Sequence, residues 1–248
     1  MITMKNILVI QFRTNPDALY AEQQDFTRFA GTFVALTFMD ATADGVNFTA
    51  PDRVLASYDG IILGGSGDMH FDGGMPADAA ARKLMRATRI RIAPLLHHII
   101  THDVPTLGIC LGHQLLADYA GAPVRQCRKQ SKTGTFAVRR CIDDEVLLAH
   151  VPQTFVAQYG HKDAVMRLPK GAQVLVCGPQ CDYGMLRYGK HVYSTQFHPE
   201  LDYDAIVSRL ATYPEYVPKG RTVDAMCAPS PHATKILHNF FRMVHDET

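Results

Sequence analysis

The chain has 248 residues and a formal net charge of +1, with 47% hydrophobic and 20% charged residues. That is the balance of an ordinary globular chain, and a charge so near zero lacks the footprint of a nucleic-acid or anionic-membrane binder. Six cysteines without secretory features suggest no disulfide framework, so a reducing cytoplasm is the expected compartment.

In chain order, Met4 to Phe12 is a β-rich run, expected as the first buried strand of a parallel sheet. Its apolar part, Ile7 to Ile10, is too short for a signal segment or a membrane span. Pro16 to Ala30 carries Leu19, Phe26 and Phe29 at helical intervals, and Phe33 to Phe38 is a second strand candidate. Arg53 to Ser57 reads as a short helix. Ile61 to Leu63 is a buried strand end, followed by Gly64-Gly65-Ser66-Gly67 at the edge of the sheet where ligands bind in parallel α/β folds. A glycine run lets backbone N–H groups approach an oxyanion or phosphate. Because no Gly-Lys-Ser/Thr follows, it is not a P-loop.

Ala77 to His102 is helix-prone, with an interruption expected at Pro94. His97, His98 and His102 lie there, with His98 and His102 four apart on one helix face, but without an HExxH pattern they are not read as a metal site. Pro105 to Ile109 is a strand, and Leu111, Leu115, Leu116, Tyr119 and Ala120 follow at helical spacing up to the stop at Gly121. Between them, Gly108-Ile109-Cys110-Leu111-Gly112 has the layout of a nucleophile elbow with cysteine as the nucleophile. A thiol at a helix N-terminus is favoured as thiolate, and the next N–H, that of Leu111, is placed to donate to an oxyanion.

Beyond the elbow the pattern turns to short β runs: Pro123 to Cys141, Thr154 to Tyr159, Gln173 to Gly178, Gly184 to Tyr188 and His191 to Phe197. They predict an antiparallel patch attached to the parallel sheet. The last run leads into His198-Pro199-Glu200. A cysteine nucleophile needs a base, and the imidazole needs an acceptor to fix its tautomer. His198 and Glu200, separated by a rigid proline, could supply both. Tyr213 to Pro231 holds four prolines and reads as a surface excursion, and His232 to Val244 as a closing amphipathic helix. No composition break divides residues 1–248, so a single domain is expected.

The chain resembles class I glutamine amidotransferases, the cysteine-triad glutaminase domains, particularly the type found in GMP synthase. The elbow Gly108 to Gln114, the run Gly160-His161-Lys162-Asp163 and the run Gln196 to Glu200 carry the resemblance. It implies a flavodoxin-like α/β fold, mostly parallel, flanked by helices and extended by a small antiparallel portion. It also implies a mechanism without a cofactor. Cys110 attacks the glutamine amide, His198 moves the proton, Glu200 orients His198, and the N–H groups of Gly65 and Leu111 hold the oxyanion. Gln114, Gly160, His161 and Lys162 fall where the family holds the substrate's amino-acid end.

Two departures stand out. Gly64-Gly65-Ser66-Gly67 replaces the family's Gly-Gly-Pro, so the loop loses proline's stiffening. Gly160 stands where serine is common. Forty-eight residues follow Glu200, too few for a synthetase domain. The expected substrate is therefore glutamine or another γ-glutamyl compound, with the ammonia either passed to a separate synthase subunit or simply released. A non-catalytic regulatory protein of the same fold is the contrasting reading, and an intact Cys/His/Glu set argues against it. Cys127, Cys141, Cys177, Cys181 and Cys227 show no justified partner and read as packing or loop positions, or as one oxidative cap for Cys110.

Overall fold

The structure is a computed structural model that describes residues 4–32 and 34–247. Its first strand, β1 (Lys5–Gln11), is buried from Ile7 onward. Alternate side chains serve opposite faces: Ile7 and Val9 join one apolar cluster, Leu8 and Ile10 the other. The chain then winds through α1 (Pro16–Phe29), β2 (Val34–Asp40), α2 (Pro51–Leu55), β3 (Gly60–Leu63), α3 (Ala80–His102), β4 (Thr106–Ile109) and α4 (Leu111–Tyr119). Phe33, the expected start of the second strand, lies outside the described residues. Met85, Ile92, Leu95 and Leu96 of α3 pack with Leu111, Leu115 and Leu116 of α4 on one face of the sheet. Phe26 of α1 packs on the other with Ile236, Leu237, Phe240 and Phe241 of α6 (Thr234–Glu247).

The antiparallel half follows: β5 (Val124–Gln126), β6 (Lys132–Arg140), β7 (Thr154–His161), β8 (Asp163–Val165), β9 (Ala172–Gly178) and β10 (Cys181–Tyr188). Then β11 (Val192–Thr195) returns to the parallel half, and α5 (Tyr203–Thr212) precedes α6. Nine strands form one sheet in the order β2-β1-β3-β4-β11-β10-β9-β6-β7, while β5 and β8 pair separately. The five parallel strands thus run 2-1-3-4-5 in their own order, the flavodoxin-like arrangement. β4 and β11 are neighbours, with Ile109 opposite Thr195.

One local expectation is corrected, and one element is added. α3 runs unbroken through Pro94. Proline removes the donor that Ile90 O would accept, but Ile90 is 78% exposed, so water can serve that carbonyl. The helix α5 was unread in the sequence, although Asp202 caps it by accepting from Ala205 N at 3.0 Å.

Candidate active site

Cys110 sits between β4 and α4 with φ 51° and ψ −94°. That is costly for a residue with a side chain, and it turns the thiol out of the strand at the head of a helix. The two flanking glycines are demanded by close approach. A Cβ at Gly108 would lie 2.7 Å from Leu116 Cδ1 and 2.8 Å from the Gly112 carbonyl. At Gly112 it would run into Leu63 O. Gly112 N donates to Gly64 O at 3.1 Å and Cys110 N to Thr195 O at 2.8 Å, tying the elbow to the strands on either side. Leu111 opens α4, where an N–H has no acceptor within the helix.

His198 follows β11, and its backbone N donates to Gln158 O of β7 at 2.9 Å. Its Nδ1–H donates to Glu200 Oε1 at 2.6 Å, with both side chains buried. Burial alone would depress the imidazole, but the Glu200 carboxylate and a charge and hydrogen-bond interaction with Cys110 raise it to about 9. Against its own burial, Glu200 is held below the usual carboxylate range by His198 and then by Arg209. Gly65 meets both partners: a Cβ there would be 3.1 Å from His198 Cε1 and 3.5 Å from Cys110 Cβ. The base and its acceptor, the thiol, and the residue expected to offer an oxyanion donor therefore share one spot.

Buried charges stand behind it. Arg13 Nε pairs with Glu22 Oε1 at 3.0 Å, and Arg209 Nη2 with Asp25 Oδ2 at 2.7 Å. Burial lifts Asp25 to about 6 despite Arg209. Arg209 Nη1 and Glu200 Oε2 are both buried without a hydrogen-bond partner. Sequence reasoning missed Arg13 and Arg209, since neither belongs to a motif, and each reaches the site from a separate element.

A family profile described as glutamine amidotransferase class-I matches residues 39–205. The chain belongs to the class I glutamine amidotransferases. It is 30% identical over 158 residues to a protein of Archaeoglobus fulgidus named as a glutamine-hydrolyzing subunit of GMP synthase, covering 63% of this chain and 74% of that one. With the protein of the same name from Methanosphaera stadtmanae it shares 30% over 114 residues, 46% of this chain but only 60% of that relative, less than two-thirds of its length. A solved glutamine amidotransferase from Thermotoga maritima superposes with a TM-score of 0.72 over 98% of each chain at 19% identity, a likeness of fold.

The residues expected to hold substrate in this amidotransferase also converge. Cys110, Gln114, Gly160, His161 and Lys162 line one small cavity. Two of them face scaffold as well. Gln114 Nε2 donates to Asp163 O at 2.8 Å and to Gln196 Oε1 at 3.2 Å. His161 Nδ1–H donates to Asp163 O at 2.8 Å, and burial lowers its pKa to about 4, so it is neutral. Lys162 Nζ lies 4.6 Å from the centre of the Tyr216 ring. At Gly160 a Cβ would meet nothing within 4 Å, so the space of the missing serine is open.

The loop without proline is braced by other means. Asp68 N donates to Ser66 Oγ at 3.0 Å, and the Asp68 carboxylate accepts from Thr14 N at 2.8 Å and Tyr213 OH at 3.2 Å. Further along, Asp163 accepts from Asp72 N and Gly73 N at 3.2 and 2.7 Å. The excursion after α5 begins over this site. Tyr213 packs against Gly67, and Tyr216 lines the Cys110 cavity and the adjoining one beside His198. Its far end returns to the sheet, where Gln158 Nε2 donates to Ala228 O at 2.8 Å. The three histidines of α3 lie elsewhere: His97 pairs with the Tyr119 hydroxyl at 2.8 Å, and His98 stacks on His102. No described helix is long and apolar enough to cross a membrane.

Proposed function

We propose that this chain hydrolyses the side-chain amide of glutamine to glutamate and ammonia through a thioester on Cys110. The observation that carries the reading is the buried Cys110 on its positive-φ elbow beside His198, whose Nδ1–H is fixed by Glu200. With the thiol's proton already held on His198, as its raised pKa favours, sulfur attacks the amide carbon while the carbonyl electron pair moves onto oxygen. The N–H groups of Gly65 and Leu111 receive that oxyanion, and losing one such donor typically costs ~10²–10³ in rate. His198 returns the proton to nitrogen as the C–N bond breaks. It then deprotonates the water that cleaves the thioester, releasing glutamate and restoring the thiol. One imidazole accounts for every proton transfer, so these steps call for no cofactor. A reduced thiol nucleophile suits a cytoplasmic location.

The test is glutamate and ammonia release from glutamine by the purified protein beside Cys110→Ala. Release should vanish in the variant; if it persists, the reading fails. Delivery of ammonia to a separate synthase subunit is supported by the names of the relatives, and co-elution with such a synthase from the same organism checks it.

A second reading, hydrolysis of γ-glutamyl amides of larger amines, has one observation in its favour. A further cleft, partly open to solvent, borders His198 and shares Ser66, Gly160 and Tyr216 with the Cys110 cavity. That is the side on which a proton would be delivered to the departing amine. Comparing kcat/KM for glutamine and for γ-glutamyl dipeptides separates the two readings.

A further inference from the structure

Two cysteines outside the reaction come together at the far end of the antiparallel half. Cys177 lies in β9, and Cys141 directly follows β6. These strands pair with Arg139 opposite Cys177, and Cys141 N donates to Leu175 O at 2.8 Å. The backbone therefore holds both residues in place. Their Sγ atoms are 2.7 Å apart. Cys141 is exposed and Cys177 half-buried, so a small reagent can reach the pair. Cys181, close in sequence, is buried in the core.

We propose that Cys141 and Cys177 form an oxidative modification site that a peroxide closes to an intramolecular disulfide. The chemistry balances with hydrogen peroxide as the two-electron oxidant. One thiolate attacks peroxide oxygen, breaking the O–O bond and giving a sulfenic acid and water. The second sulfur attacks the first and expels a second water. Two S–H bonds are lost, one S–S bond of about 2.05 Å forms, and both protons end in water. Partial desolvation, then the hydrogen bond with Cys177, pushes the Cys141 thiol up to about 11, so the thiolate that attacks peroxide is scarce at neutral pH and the closure is slow.

The pair lies away from the Cys110 cavity. His161, which lines that cavity, pairs with Lys132 at the other end of β6, roughly 30 Å along the strand at ~3.4 Å per residue. The inference therefore does not depend on the proposed reaction. It gives a role to two cysteines that the sequence offers as packing or loop positions. The crosslink closes a loop containing β7 and β8, which restricts the unfolded chain.

The test treats the full chain with hydrogen peroxide, blocks remaining thiols, and digests without reductant. The expected product joins the Cys141 and Cys177 peptides at a mass two hydrogens below their sum, with fragment ions excluding Cys181. It should be absent from Cys141→Ser and from Cys177→Ser. The oxidised wild type should melt roughly 4–16 °C above its reduced form, a gap missing in either variant. Both thiols remaining open to alkylation after peroxide, or a link through Cys181 instead, overturns the proposal.

Discussion

At Gly160 the chain leaves room for a side chain it does not have. A Cβ there meets no atom within 4 Å, yet the position borders both Cys110 and His198 cavities. Gly160→Ser should fold with an unchanged melting midpoint and lower KM for glutamine several-fold with little change in kcat. Steady-state kinetics with glutamine checks this, and an unchanged KM would remove Gly160 from the substrate pocket. Arg209 makes the opposite case, a residue present and partnered on one side only. Its charge helps hold Glu200 ionised. Replacing it by methionine should move the acid limb of the kcat/KM profile to higher pH, whereas Arg209→Lys should leave it near wild type. A loss of melting temperature in Arg209→Met with an unmoved acid limb would mean that Arg209 serves packing alone.

At the scale of elements, the elbow depends on how closely α4 approaches β3. Gly112→Ala drives a methyl group into Leu63 O, backbone that cannot swing aside. It should cost about 2 kcal/mol or more and lower the urea midpoint. Much of this was legible in the sequence, because strand, turn and helix each left a signal around Cys110, and the β-run–His198-Pro199-Glu200 sequence left another. The unread parts have physical causes. α5 is short, and its pattern is blurred by polar residues that face the buried charges, such as Arg209 with Asp25. Asp163 belongs to a run that carries the resemblance, but the task of its carboxylate, gathering Asp72 N and Gly73 N from a distant loop, leaves no local sign. Tyr213 and Tyr216 lie in a proline-rich stretch, and only the fold carries them back over Cys110. Pairings across long loops have no local signature, which is why Cys141 and Cys177 read as unrelated.

For the molecule as a whole, burying His198 against Glu200 ties stability to pH. Its pKa rises from 6.5 to about 9 on folding, so its contribution is complete below about 6.5 and disappears as pH climbs through 9. The difference in melting midpoint between wild type and His198→Gln should therefore narrow steadily from pH 6 to pH 10. A difference that stays constant would mean the imidazole is not charged in the folded protein.

The placing of β4 next to β11 has a kinetic consequence. Ile109 and Thr195 are partners in the sheet, but the whole antiparallel half lies between them along the chain. Contacts so distant in sequence close late, after the entropy of the intervening segment has been surrendered. During refolding from denaturant, helices and the early strands can assemble while Cys110 still lacks His198 beside it. Rapid alkylation of Cys110 would then serve as a chronometer for the last step of assembly, lagging behind the return of helical circular dichroism.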